Sequence, residues 1–234
     1  MPPAQVPRAP DAVILVSDRL VHGPGLTRFG RPGLKRLLPV MGAHQLMADC
    51  GWNFVLTPER NLARWLTPGR LLLLPEVLSL SPGEDQAIRR FLAAGGRLLA
   101  VGRVPRLADG SVPDWLGLAS VDAAPWQEYV YLPAWKPRAD SERPLVRGDV
   151  FRIVAGTACP LSFPSACYDF QYGTRMGAGA NPPAEQPDSH PLLTCQAVGR
   201  GKAYTLNAPL CTDYTEGLPA QRTWFAELLR RAAP

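Results

Sequence analysis

Residues 71–103 read LLLLPEVLSLSPGEDQAIRRFLAAGGRLLAVGR, and this stretch decides the fold. Leu71–Leu74 is a short all-apolar run, the form taken by a strand that is buried on both faces of a parallel sheet. Leu98–Val101 is a second run of the same kind. Between them, one helical face is predicted to carry Ala87, Ile88, Phe91 and Leu92. Two buried strands joined by an amphipathic helix predict a right-handed βαβ unit.

The ends of the helix in this unit are also marked in the sequence. Ser81 can cap the helix, Pro82 suits its first position, and Glu84 completes a capping box with Ser81. Gly95 and Gly96 tolerate positive φ and end the helix before the second strand.

The rest of the chain extends the alternation of strands and helices. Ala12–Ser17 and Trp52–Leu56 predict two further strands, and we expect all four strands to be central in one sheet. Helices are predicted at Pro39–Cys50, with an extra turn ahead of Pro39 as an alternative, and at Glu59–Leu66. This pattern predicts a parallel sheet with helices on both faces.

The C-terminal part adds a hairpin and a helix. Leu193–Val198 and Lys202–Asn207 flank a Gly-rich turn, which predicts an antiparallel pair, and the final helix begins near Pro219. We therefore expect an α/β fold, a three-layer α/β/α sandwich with a mainly parallel sheet and a C-terminal hairpin. We expect a single domain over residues 1–234.

Two segments, at about 103–150 and 160–191, interrupt this pattern and are rich in Pro. Glu128–Leu132 and Val150–Val154 predict short strands of a subsidiary sheet within this part of the chain. Because aromatic side chains are the usual anchors of buried interfaces, we expect an interface at four positions: Trp126, Tyr129, Tyr131 and Trp135. Two alternatives stay open, that the segments cover a sheet edge of the same subunit and that residues 126–135 stack on sugar rings.

The βαβ unit and the C-terminal hairpin resemble parts of a known family. The LLLLPEV strand and turn, the SPGEDQAIRRFLAAGG helix and RLLAVGR running into Leu107–Gly110 are similar to the class I glutamine amidotransferase-like fold. The similarity is to the version found as the middle, or trimerisation, domain of bacterial β-galactosidases. Val198–Tyr204 resembles the hairpin near the end of that domain. The resemblance implies a flavodoxin-like strand order and a non-catalytic domain beside a glycoside hydrolase barrel.

Composition narrows the classes of function. A 234-residue chain with 46% hydrophobic and 19% charged residues is globular rather than disordered. The net charge is +5, but the Arg residues are scattered rather than interleaved with aromatics, so we expect no nucleic-acid partner. No apolar run reaches the ~20 residues of a membrane span, and the N-terminus has no apolar signal core. We expect a cytoplasmic protein with no membrane partner.

The cysteines and histidines predict neither a disulfide framework nor a metal site. The five cysteines are widely spaced and contain no C-x-x-C, and their odd number fits a reducing compartment. The three histidines, His22, His44 and His190, have no metal-ligand spacing. Gly23-x-Gly25 lies six residues beyond a strand and lacks the third glycine of a dinucleotide fingerprint. We expect no metal and no cofactor.

The amidotransferase resemblance implies a Cys nucleophile on a sharp turn after a strand, activated by a His. The turn after Leu98–Val101 holds Gly102-Arg103, and residues 207–213 contain no His. We therefore predict that the chain has no glutaminase activity.

An open α/β sheet still forms a crevice at the carboxyl ends of its strands. The residues expected there are Ser17, Asp18, Glu76, Gly102, Arg103 and Asn207. Glu76 and Arg103 can form a structural ion pair, or act as an acid/base and an anion-binding Arg. Cys211, beside Thr212 and Asp213, is either a relocated nucleophile or a small core residue. The catalytic candidates are therefore Glu76, Arg103, Cys211 and Asp213.

Three hypotheses of function follow. The first is a non-catalytic domain acting in assembly or sugar-site completion with a β-galactosidase-like glycoside hydrolase, as a homo-oligomer or with that hydrolase as partner. The second is a small carbohydrate- or acid-processing enzyme that uses the crevice. The third is a module that binds a carbohydrate ligand.

Overall fold

The computed structural model describes residues 9–17, 19, 32–125, 127–132, 135, 144–162, 190–214 and 217–233. The strands are β1 (Ala12–Val16), β2 (Phe54–Pro58), β3 (Leu71–Pro75), β4 (Arg97–Val101), β5 (Leu118–Val121), β6 (Gln127–Tyr131), β7 (Leu145–Val150), β8 (Ile153–Ala155), β9 (Cys159–Ser162), β10 (Leu193–Val198) and β11 (Gly201–Leu206). The helices are α1 (Pro32–Asp49), α2 (Leu62–Trp65), α3 (Pro82–Ala93), α4 (Leu210–Asp213) and α5 (Pro219–Ala232). Short 3-10 turns occupy Glu59–Asn61 and Asp114–Leu116.

The main sheet of the described residues has the order β2-β1-β3-β4-β11-β10-β9. The pairs β2–β1, β1–β3, β3–β4 and β4–β11 are parallel, whereas β11–β10 and β10–β9 are antiparallel. The five parallel strands therefore have the flavodoxin-like order, extended by a hairpin and an edge strand. The predicted fold class is confirmed.

The β3-α3-β4 unit forms as its sequence predicts. All five residues of β3 are buried, and β3 lies between β1 and β4. The capping box of α3 is complete, because the Ser81 backbone N–H donates to Glu84 Oε2 at 2.6 Å and the Glu84 N–H donates to Ser81 Oγ at 3.3 Å. Gly95 follows the helix with φ of 102°.

A single row of cross-strand neighbours runs across the whole sheet. In order it contains Leu56, Ile14, Leu73, Leu99, Tyr204, Cys195 and Cys159. Neighbours in such a row point to the same face, and this face packs against α1 and α5 through residues such as Met47 and Phe225. The opposite face packs against α3 through Ile88, Phe91 and Leu92. Helices thus cover both faces of the sheet.

Some element bounds and positions differ from the sequence-based expectations. The second strand is two residues later than expected and is an edge strand rather than a central one, because only β1 pairs with it among the described residues. The first helix is continuous from Pro32, with Pro39 inside it. An interior proline removes one helix hydrogen bond and crowds the carbonyl four residues earlier, but the buried side chains of Val40, Ala43 and Met47 hold the helix on the sheet.

The segment after β4 forms two small antiparallel sheets, β5–β8 and β6–β7. The expected strand Val150–Val154 is divided, because β7 ends at Val150 and β8 begins at Ile153. β9 was not expected, and Cys159–Ser162 forms the last strand of the main sheet among the described residues. In the part of the chain that the structure describes, no helix is long and apolar enough to cross a membrane.

Gly42 sets the distance between α1 and α4. A Cβ at this position would overlap the carbonyl group of Cys211. We expect Gly42→Ala to lower the free energy of unfolding by about 1–3 kcal/mol through overpacking, although Ala is the better helix former. Urea denaturation measures the change.

Gly83→Ala is the matched control, because a Cβ on this α3 residue meets nothing within 4 Å. The control should be neutral or stabilising by up to about 1 kcal/mol. Equal stabilities for the two variants would contradict the close contact between α1 and α4.

Candidate functional site

Four of the predicted crevice residues follow strands that end at the same edge of the sheet. Ser17 follows β1, Glu76 follows β3, Gly102 follows β4 and Asn207 follows β11. Because these strands are parallel, their carboxyl ends bring the four residues to one side. Asp18 lies outside the described residues.

Glu76 has an unusual backbone conformation for a residue with a side chain. Its φ is 48°, the only positive φ of a non-glycine among the described residues. Its N–H donates to the Val101 carbonyl at 2.9 Å, which holds the turn against β4. Such a conformation costs of the order of 1–3 kcal/mol and persists only when the surroundings enforce it.

Gly102 is required by the position of Glu76. Its φ is 80°, and a Cβ there would lie 2.6 Å from Glu76 Cγ. The Gly102 N–H donates to the Leu206 carbonyl at 2.8 Å, which continues the ladder toward β11. The turn where a nucleophile would be expected is therefore filled by the carboxyl side chain of the neighbouring strand.

The Glu76 side chain is half-buried, and among the described residues its hydrogen-bond donor is the hydroxyl of Thr212, which donates to Oε1. Burial raises the pKa of the Glu76 carboxyl above its ordinary value, the Thr212 hydrogen bond and Arg103 oppose this rise, and Asp149 adds to it. Glu76 is consequently biased toward its protonated form, which can donate a proton or a hydrogen bond.

Arg103 forms its ion pair with Asp149 rather than with Glu76, which corrects one sequence-based expectation. The Arg103 Nη2–Asp149 Oδ2 distance is 3.4 Å, and both side chains are about half exposed. The guanidinium also lies 5.0 Å from the centroid of the Phe151 ring. The pair is long-range, because Asp149 and Phe151 come from the end of β7, 46 or more positions beyond Arg103.

The side chain of Asn207 is hydrogen-bonded to the backbone of Phe151. Its Nδ2 donates to the Phe151 carbonyl, and its Oδ1 accepts from the Phe151 N–H at 3.4 Å. Both polar atoms of this buried side chain therefore serve to attach the β7–β8 connection to the end of β11.

Cys211 and Asp213 are buried parts of α4. Cys211 is fully buried, and this burial, with a further contribution from the Glu76 charge, raises the pKa of its thiol well above the usual value. A thiol in such surroundings is a poor nucleophile. Asp213 accepts from Arg147 Nε at 2.8 Å and from Gln221 Nε2 at 2.6 Å, so it joins α4 to β7 and α5.

Ser17 belongs to a second polar group at the same sheet edge. Its hydroxyl donates to Glu59 Oε1 at 2.6 Å. Arg19 lies 3.8 Å from the same carboxylate and donates to Glu84 at 3.1 Å. Arg19 also donates to the Ser79 carbonyl at 2.9 Å, so this group ties the turn after β1 to the start of α3.

The expected aromatic anchors are only partly described. Trp126 lies outside the described residues, and so do the side chains of Tyr129 and Tyr131, whose backbones form β6. Trp135 stacks on Trp224 of α5, with ring centroids 4.8 Å apart, and its Nε1 donates to the Trp224 carbonyl at 3.0 Å. Trp135 thus contacts its own chain, and its role at an interface stays a prediction.

Sequence reasoning missed the partners of the crevice residues. Asp149, Phe151 and Glu59 carried no signal, because they lie far from their partners in the chain. Thr212 was visible only as a neighbour of Cys211. Among the described residues, no group of three His, Cys, Asp or Glu side chains could hold a metal ion. The chemistry that the arrangement offers is that of a hydrogen-bonded carboxyl group.

No protein-family model matches the sequence, and no curated protein matches it either. Solved structures do match. α-L-Fucosidase isoenzyme 2 from Paenibacillus thiaminolyticus is 19% identical with a TM-score of 0.65, and the match covers 95% of this chain and 33% of that one. The exo-β-1,4-mannosidase from Opitutaceae bacterium strain TAV5 is 14% identical with a TM-score of 0.59, covering 97% and 36%.

The β-galactosidase from Bacillus circulans sp. alkalophilus is 15% identical with a TM-score of 0.57, and the match covers 89% of this chain and 30% of that one. At these identities the likeness concerns the fold alone. The chain has about one third of the length of these glycoside hydrolases.

We expect Glu76→Gln to change how stability depends on pH. The folded-state pKa of Glu76 is raised, so its ionisation disfavours the folded state as pH rises above the ordinary carboxyl value of 4.5. Gln keeps an acceptor for Thr212 and never ionises. The variant should therefore gain stability relative to wild type as the pH rises above 4.5, measured as the denaturant midpoint at each pH.

Glu227→Gln is the control, since Glu227 on α5 accepts from Arg231 at 3.1 Å near the surface. Its stability difference from wild type should not grow in favour of the variant over this range. A Glu76→Gln difference that is constant with pH would show that the carboxyl titrates normally.

Proposed function

We propose that this chain is a non-catalytic domain of the amidotransferase-like type that acts beside a glycoside hydrolase catalytic domain, in assembly or in completing its sugar site. The proposal applies equally to a catalytic domain on the same polypeptide and to one on another. A single observation carries it: the polar side chains expected to perform chemistry at the strand ends are engaged by this chain itself.

Each of the four catalytic candidates is either buried or bonded to another group of the chain. Cys211 is fully buried and Asp213 has two partners of its own. Arg103 pairs with Asp149. Glu76 accepts from Thr212 and fills the turn over Gly102. A nucleophile, its base and an oxyanion hole must face a shared reacting atom, whereas these residues are buried or bonded to other groups of the chain.

The extent of the structural likeness supports the same proposal. Nearly the whole chain matches glycoside hydrolases, yet the match takes up only about a third of each of them. A domain that forms a minor part of several hydrolases with different sugars is better suited to a shared accessory role than to sugar-specific chemistry.

One observation favours a second candidate, a small carbohydrate- or acid-processing enzyme. Glu76 combines a strained backbone with a raised pKa, and such combinations are enriched at active sites. In this alternative Glu76 is a general acid and Arg103 binds the substrate. An activity of the isolated chain that Glu76→Gln abolishes would establish the alternative.

We expect the purified chain to be inactive by itself. Because Gly102 stands at the turn where the amidotransferase nucleophile is expected, the purified chain should release no ammonia from glutamine. It should also leave nitrophenyl β-galactoside, α-L-fucoside and β-mannoside intact. A coupled ammonia assay and absorbance at 405 nm provide the measurements. Activity that survives repurification and is lost in Glu76→Gln or Cys211→Ala would refute the non-catalytic proposal.

We also expect a stable complex, either of identical copies or with a glycoside hydrolase. A specific complex should bury more than roughly 1,000 Å² in total. Light scattering at micromolar concentration tests self-association. Affinity purification of the tagged chain from its source, followed by mass spectrometry and aryl-glycosidase assay, tests the partner. A chain that is monomeric in solution and with which no glycosidase activity co-purifies would count against the assembly role.

A further inference from the structure

Two cysteines lie opposite each other on β9 and β10, the last two strands of the main sheet in the described part of the chain. Cys159 of the edge strand β9 is the direct antiparallel neighbour of Cys195 in β10. Directly opposite residues in an antiparallel pair have Cα atoms about 4.5–5.5 Å apart. A disulfide spans Cα distances of about 4.4–6.8 Å, so the strand register places the Cα atoms of the two residues within the range that a disulfide requires.

Both residues carry free thiols, and they differ in exposure. Cys159 is exposed and Cys195 is half-buried. Burial raises the pKa of the Cys195 thiol, and interactions with Tyr204 and Lys202 oppose that rise, while Cys159 adds to it. The mutual influence of the two thiols agrees with their position on one face of the sheet. The other described cysteines, Cys50 and Cys211, have no cysteine opposite them.

We propose that Cys159 and Cys195 form a redox modification site, in which a low-molecular-weight disulfide of the glutathione class converts the two thiols into a cross-strand disulfide. The inference is independent of the proposed function.

The reaction proceeds in two exchanges. The Cys159 thiolate attacks one sulfur of the small disulfide, whose S–S bond breaks, and one thiolate leaves. Cys195 then loses its proton to solvent and attacks the Cys159 sulfur of the mixed disulfide, and the second small thiolate leaves. The cysteine pair is oxidised by two electrons, and the small disulfide is reduced to two thiols that take up the two protons.

Exposure decides the order of the two steps. Cys159 is open to a reagent, whereas Cys195 is partly covered and has the raised pKa, so Cys195 suits the second, intramolecular attack. The same exposure leaves the product bond open to reductants, as is usual for labile, regulatory disulfides.

The new bond would hold the edge strand on the sheet. β9 pairs with β10 alone among the described residues, and its register shifts between Leu193 and Thr194. A bond at Cys159 would join the other end of the short strand to β10. It would also close a covalent loop over residues 160–194, which restricts the unfolded chain.

The test uses the full chain with Cys167→Ser, because Cys159 and Cys167 share the tryptic segment 153–175. After incubation with oxidised glutathione, we expect the intact mass to fall by two hydrogens. Trypsin should release segment 153–175 linked to segment 176–200, which carries Cys195. The melting temperature should rise by roughly 5–10 °C and return on reduction with dithiothreitol.

Cys159→Ser and Cys195→Ser in the same background should abolish both the cross-link and the rise in melting temperature. Cys50→Ser should retain both and is the matched control. If a serine variant fails to fold, the chain that retains both cysteines is alkylated with iodoacetamide instead. Oxidation should then protect Cys159 and Cys195 together, and reduction should expose them together.

Three outcomes would overturn the proposal. They are a stable glutathione adduct on Cys159 without a cross-link, a cross-link from Cys159 to a cysteine other than Cys195, and a cross-link that forms only after denaturation.

Discussion

The parallel pairing of β3 with β1 on one side and β4 on the other is the constraint on which the rest of the structure depends. All five residues of β3 are buried, so both faces of the sheet must be covered at this point. The buried face of α3 covers one side, and α1 with α5 covers the other. The direction of these strands then decides where the polar residues of the connecting turns collect.

At the edge where they collect, the polar residues pair with other parts of the chain. Gly42 lets α1 approach the Cys211 backbone, which places α4 over the strand ends. Thr212 of α4 then reaches Glu76, while Asp213 attaches α4 to β7 through Arg147. The segment after β4 adds the Phe151 backbone to Asn207. Buried polar groups must be paired, and here other residues of the chain supply the partners.

Much of the frame could be predicted from the sequence, because its determinants are local. The apolar runs at β1, β3 and β4, the capping box of α3 and the Gly-rich hairpin turn each depend on residues within a few positions of one another. The identity of the crevice residues followed from where those strands end. The position of β2 at the sheet edge could not be predicted, since short apolar runs look alike in central and edge strands.

The contacts within the site could not be predicted for a different reason. Thr212 lies 136 positions from Glu76, and Phe151 lies 56 positions from Asn207. Such pairs are fixed only when the sheet order and the packing of α4 are known. The same holds for Cys159 and Cys195, whose spacing in the chain suggests no relation and whose relation is a matter of strand register.

Glu76 is the residue that connects the proposed accessory role with chemistry. The strained backbone of Glu76 and the raised pKa of its carboxyl group both destabilise the fold, and the hydrogen bond from Thr212 offsets this only in part. A glycine or asparagine would satisfy the same turn with less strain. In its protonated form the carboxyl is a hydrogen-bond donor, and sugar hydroxyls are acceptors as well as donors. A domain that completes a sugar site beside a hydrolase would use this group to bind, and the catalytic carboxylates would belong to the hydrolase.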